Sequence, residues 1–194
     1  MSSKIPNIIP ERKFETVRDK IVSILTDELT NQYSLTTNSL YQAGIFKERF
    51  VPFDKTELPA ILVYFNNSEF DSKIPNNCKS DTTYAIEVHT RSSYTDSERG
   101  DTKASVDCDK LLGAIHYILS SPYYYNLDLP GVVQTTMVES LQIGRNSDPS
   151  GDSIVVGLLS FKVRIMEDNG AIPSTQLDEV LTTFNEEFKI KVET

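Results

Sequence analysis

The chain has 194 residues, of which 39% are hydrophobic and 24% charged. That length suits one domain able to bury roughly 70% of the surface its unfolded chain exposes. The formal net charge is -9, and the 19 Lys and Arg residues are scattered, with Lys4 to Arg18 and Lys47 to Arg49 interrupted by Glu11, Glu15 and Glu48. This argues against a surface that grips a nucleic-acid duplex, which needs clustered cations to displace counterions. No apolar run approaches the roughly eighteen residues of a bilayer span. Met1 to Asn7 also lacks the apolar stretch of a secretion signal, so a cytoplasmic protein is expected. Cys78 and Cys108 have no paired spacing or histidine cluster nearby and read as free thiols.

Met1 to Pro10 reads as a flexible arm leading into a helix. There Phe14, Val17, Ile21, Ile24, Leu25 and Leu29 recur at three- and four-residue steps, which predicts an amphipathic helix lying on a sheet. From Thr30 to Glu57 the pattern weakens into loop, with a short strand or turn around Ile45 to Phe53. Leu58 to Phe65 is too short for a free helix and too evenly apolar for a wet strand. It predicts a central strand buried on both faces, with Pro59 at its start.

Asn66 to Ser80 is polar and reads as a connecting loop. In the next strand Tyr84, Ile86 and Val88 point one way and Ala85, Glu87, His89 and Arg91 the other, giving one wet face. Tyr94 to Gly100 is a charged loop. Asp101 or Thr102 then caps a helix with Ala104, Cys108, Leu111, Leu112, Ile115 and Leu119 in one stripe, ended by Pro122.

Val132 to Ile143 and Ile154 to Met166 predict a strand hairpin joined by the turn-rich Gly144 to Asp152. Val155, Leu159, Phe161, Val163 and Ile165 form its core face. On the opposite face Ile154, Val156 and Leu158 are also apolar, so either a helix of the same chain or a neighbouring subunit must cover them. Ser174 begins a last helical stripe of Leu177, Val180, Leu181, Phe184 and Phe188.

The fold class expected is α+β. Residues 11–168 form a single domain with a mixed, mainly antiparallel sheet of four or five strands packed with two helices. An arm (residues 1–10) precedes it, and an extension (residues 169–194) with an amphipathic helix follows.

Catalytic patterns are missing. His89 and His116 are the only histidines. His89 between Glu87 and Arg91 could be oriented as a general base, but a histidine beside an acid on a solvated strand is ordinary surface chemistry. There is no Gly-rich phosphate loop, nucleophile elbow or HExxH helix. Asp148 to Asp152 lacks the spacing and terminal Glu of a calcium loop. Tyr123, Tyr124 and Tyr125 have no interleaved cations and read as core edge or subunit contact. No catalytic residue, cofactor or metal is expected, and a small enzyme using His89 and Glu87 is the minority reading.

Two segments carry a resemblance. Leu58-Pro59-Ala60-Ile61-Leu62-Val63-Tyr64-Phe65, followed by Glu69-Phe70 and then Ile86-Glu87-Val88, resembles the lambda-type phage tail terminators. The order of elements from about Phe14 to Glu167 resembles them too. The resemblance implies a hexameric ring on the tail tube that stops addition of tube protein, presents a surface to a head connector or neck protein, and lets DNA pass its lumen unbound. It implies a place in the virion tail near the neck, after assembly in the host cytoplasm, with no membrane and no bond made or broken.

Ile154, Val156, Leu158, Phe184 and Phe188 are then candidates for the subunit interface. Asp71, Tyr94, Arg99, Arg145, Asp148 and Asp152 mark candidate contact loops on the ring faces. The tail departs from the family pattern, and its helix is expected to dock on an adjacent subunit or on a tube, sheath or connector protein. Another head-to-tail adaptor or tail-completion protein on a similar fold is the alternative.

Overall fold

The computed structural model describes residues 11–70, 79–92, 100–147 and 153–166. They form a single α+β domain in which two helices lie against a five-stranded mixed sheet. The expected arm, the extension with its helix, and Asp71, Tyr94, Arg99, Asp148, Asp152, Phe184 and Phe188 lie outside the described residues.

Helix α1 spans Lys13–Thr36 and buries Val17, Ile21, Ile24, Leu25 and Leu29, with Phe14 packed beside them. It opens with the Arg12 backbone N–H donating to Glu15 Oε2 at 3.1 Å, which satisfies one of the amides free at a helix start. It outlasts the expected loop at Asn31, Ser34 and Thr36. There the Ser34 and Thr36 hydroxyls donate to the carbonyls of Asn31 and Gln32, both at 2.7 Å, so these polar residues bond within the helix. Thr37, in the left-handed region at φ 54°, ends it by donating its N–H to the Tyr33 carbonyl at 2.8 Å.

The strands are β1 (Gly44–Lys47), β2 (Ala60–Phe70), β3 (Lys79–Ser92), β4 (Val133–Ser147) and β5 (Ser153–Met166), in the order β1-β2-β3-β5-β4. β1 runs parallel to β2, and all other pairs are antiparallel. Ala60, Ile61, Leu62 and Val63 are buried on both faces as expected, but β2 is second in the sheet and β3 is its centre. β2 also continues through Asn66 to Phe70, residues expected in a loop. Their polar side chains pair across the ladder, with Ser68 Oγ and Thr82 Oγ1 2.9 Å apart. Gly144 to Ser147 likewise belong to β4 rather than to the turn.

Helix α2 (Gly100–Leu119) lies over β3 and β5 with the predicted stripe buried. Its seat depends on Gly157 of β5. A Cβ there would stand 2.3 Å from Leu112 Cδ1 and 2.8 Å from Cys108 Sγ, closer than any side chain tolerates. α1 covers β1 and β2 on the same side, where Tyr84 donates its hydroxyl to the Phe14 carbonyl at 2.8 Å. The core is the single layer between the helices and Ile61, Val63, Tyr84, Ile86, Val88, Leu159, Phe161 and Val163.

Gly157→Val should therefore destabilise the fold by about 1–3 kcal/mol through overpacking. A lowered urea midpoint with an unchanged slope checks it.

Candidate functional site

Because both helices occupy one face of the sheet, the other face carries the candidate site. Register places its residues in rows: Ala60, Leu62 and Tyr64 on β2; Ala85, Glu87 and His89 on β3; Val156, Leu158 and Ser160 on β5. The predicted polar row of Glu87, His89 and Arg91 stands beside the predicted apolar one, since Leu158 faces Glu87, Val156 faces His89 and Ile154 faces Arg91. All six are half-buried. No α-helix among the described residues lies on this face, whose one helical turn is the three-residue Lys55–Glu57, so a helix over Ile154, Val156 and Leu158, the first of the two expected covers, is not found there.

Part of the face is sheltered by the connection from β1 to β2. Arg49 reaches back to Glu57 with two hydrogen bonds of 2.8 Å, and its guanidinium lies over the rings of Phe46 and Phe53 at 5.1 and 4.6 Å. That clamp holds Phe53 against Phe46, at 5.2 Å between centroids, and against the His89 ring at 4.9 Å. Ala60 and Leu62 on the same face are buried. The same connection thrusts Phe50 and Val51 outward; Phe50 is 93% exposed, the most exposed large apolar side chain described.

Between the sheltered end and the apolar row lies a hydrogen-bonded chain. Tyr64 donates its hydroxyl to Glu87 Oε1 at 2.8 Å, and His89 Nε2 stands 3.0 Å from Glu87 Oε2. Burial first, and then the bond to Glu87, push the Tyr64 hydroxyl up to about 12. A carboxylate held from both sides by a phenol and an imidazole orients the imidazole, and Phe53 covers part of that ring. The arrangement fixes side chains on a surface. Among the described residues no cluster of His, Cys, Asp or Glu could hold a metal ion, and no helix is long and apolar enough to cross a membrane.

Arg145, read as a loop contact, has its backbone in β4 opposite Val155. Sequence reading missed the Tyr64–Glu87 bond and the Arg49–Glu57 clamp. Tyr64 lies within the evenly apolar run that marks β2, so only the register of β2 on β3 shows that it shares a face with Glu87. A second concave feature lies on the helix side, a groove of about 640 Å³ between α1 and α2. Its aromatic lining is Tyr41, Tyr117, Tyr123 and Tyr124, and Tyr124 donates to Glu28. This refines the expectation for the tyrosine run: Tyr124 is anchored, while Tyr123 and Tyr125 are exposed.

No sequence model of a known protein family matches the chain, and no curated protein matches it. Among solved structures, it is similar to a chain of one described as "Virion of native gene transfer agent (GTA) particle", with 14% identity, 68% of this chain and 84% of that chain covered, and a TM-score of 0.42.

Tyr64→Phe removes one hydrogen bond to a half-exposed carboxylate and should cost about 1 kcal/mol at neutral pH. Folding raises the Tyr64 pKa from its ordinary 10.0 to about 12, so the folded chain holds this proton longer than the unfolded one. The associated stability is complete below pH 10.0 and is lost as pH rises toward about 12. Tyr124 is raised to about 12 as well. Urea midpoints measured across that window in a Tyr124→Phe background should therefore fall more steeply with Tyr64 present than with Tyr64→Phe.

Proposed function

We propose that this chain is a structural protein of a phage virion, assembling as a hexameric ring that caps the tail tube, ends its polymerisation and offers a surface to the head connector or neck protein. The observation that carries the reading is the half-buried apolar row of Ile154, Val156 and Leu158 on a sheet face without an α-helix over it. An apolar row bordered by polar side chains, as here by Glu87, His89 and Arg91, is the pattern of a protein interface. The exposed Phe50 and Val51 at the crest of the β1–β2 connection add a second apolar contact. The resemblance of the β2 and β3 sequences to tail terminators supplies the kind of assembly. The charge of -9 suits a lumen through which DNA slides without binding. In this role the chain makes and breaks no bond, and the Tyr64–Glu87–His89 chain stiffens the interface.

The test is electron microscopy and native mass of the purified protein, together with tail lengths in phage lacking it. Rings with a central hole and overlong tails are expected. Normal-length tails that fail to join heads would turn the reading to an adaptor, and a monomer with no effect on tails would end it. Leu158→Glu puts a charge into the interface and should leave the protein monomeric with unchanged circular dichroism. If His89→Ala abolishes function while rings still form, the protein is doing chemistry and the reading fails.

A further inference from the structure

The groove between α1 and α2 holds aromatic rings and a carboxylate. Its volume of about 640 Å³ lies within the ~300–1,000 Å³ of clefts that take ligands. Tyr41 and Tyr124 are half-buried in it, while Tyr117 and Tyr123, 80% and 84% exposed, stand at its rim. Among the described residues that line it, Glu28 alone carries a charge at neutral pH. Glu28 is half-buried, and one of its oxygens accepts the Tyr124 hydroxyl. The lysine one face over, Lys20 of the same helix, is paired with Asp128 at 3.3 Å. The bond to Glu28 first, then burial, then the charges of Glu28, Asp128 and Asp27 push the Tyr124 hydroxyl up to about 12. Tyr124 is therefore a neutral donor at physiological pH, and the field around it is negative.

The chain already completes such a set of groups once. Arg49 lies over the rings of Phe46 and Phe53 while Glu57 accepts two hydrogen bonds from it. The groove between the helices repeats the rings and the carboxylate, and no guanidinium among the described residues lines it.

We infer that this groove receives an arginine side chain of a partner protein, with the guanidinium lying against the tyrosine rings and bonded to Glu28. Charge complementarity selects that occupant. An apolar segment would strip water from Glu28 and give nothing in return, which is costly for a carboxylate. An anion would meet Asp27, Glu28 and Asp128. Lysine answers the charge, but its ammonium is compact and strongly hydrated, whereas a guanidinium is planar, stacks on aromatic faces and gives up water more readily. The groove is larger than one side chain, so the arginine enters with its neighbours on a segment of chain. It opens on the helix side of the sheet, away from Ile154, Val156 and Leu158, so the inference does not rest on ring formation.

NMR of protein with labelled tyrosine rings reads the groove directly. The probe is the blocked tripeptide acetyl-Ala-Arg-Ala-amide at low salt, compared with the same peptide carrying lysine, norleucine or citrulline in place of arginine. Citrulline keeps the planar shape and removes the charge. The ring signals of Tyr117, Tyr123 and Tyr124, assigned from Tyr117→Phe, Tyr123→Phe and Tyr124→Phe, should shift with arginine and saturate at a Kd on the order of millimolar. Lysine should bind about threefold weaker or worse, and citrulline and norleucine should give no saturable shift. Glu28→Gln keeps an acceptor for Tyr124 but loses the charge, and should weaken arginine binding about fivefold or more with unchanged circular dichroism. Tyr117→Ala, at the exposed rim, gives a second variant that should weaken it while the fold stands. Lysine, citrulline or norleucine bound as tightly as arginine would overturn the proposal. So would arginine binding that survives Glu28→Gln unchanged, or no shift at all in the folded wild-type protein.

Discussion

Helix α2 sits as close as it does on β5 because position 157 has no side chain. Leu112 and Cys108 occupy the space that a Cβ would take, and this close approach brings Leu111 and Ile115 down among Ile86, Val88 and Leu159. With α2 fixed there and α1 on β1 and β2, the helical layer is full at four strands. Two consequences follow for the rest of the molecule. The far face of the sheet has no α-helix among the described residues, and the helix side of β4 beyond Val138 has none either.

The far face is managed by other means. At the β1–β2 end a twelve-residue connection, residues 48–59, is folded back by the Arg49–Glu57 bonds, and Phe53 packs against Phe46 and the His89 ring. In the middle, Glu87 satisfies both Tyr64 and His89, so long polar side chains stand against each other instead of reaching into solvent. Toward β5 the face turns apolar at Leu158, Val156 and Ile154. A surface graded from sheltered through polar and hydrogen-bonded to apolar is stiff and partly desolvated before any partner arrives. Such a surface loses less side-chain entropy on association than a row of free lysines and glutamates would.

Individual residues show how far the sequence could be read. The stripe of Val17, Ile21, Leu25 and Leu29 and the alternation of Tyr84, Ile86 and Val88 were legible because burial repeats with the period of the backbone that imposes it. Asn67, Ser68 and Glu69 were not legible as strand, because their β partners are Thr83, Thr82 and Asp81, polar residues whose pairing is visible only once the strands meet. The end of α1 was misplaced for a related reason. Ser34 and Thr36 are turn formers in isolation but here bond backward to their own helix, which a propensity argument cannot separate from a loop. Of the candidate site, strand parity gave Glu87, His89, Val156 and Leu158 and the faces they occupy, but gave no indication that Tyr64 and Phe53 join them.

By itself the sequence determined which segments are apolar on one face and at what period, and therefore the two described α-helices, most of the strands and the α+β class. The order β1-β2-β3-β5-β4, the placing of both helices on one side, and the juxtaposition of Ile154, Val156 and Leu158 with Arg91, His89 and Glu87 were decided only in three dimensions. The physical reason is that periodicity is a property of each segment alone. Which face of a sheet receives a helix depends on long-range fit, here on a glycine in β5 that admits Leu112 and Cys108 from a helix some fifty residues earlier in the chain.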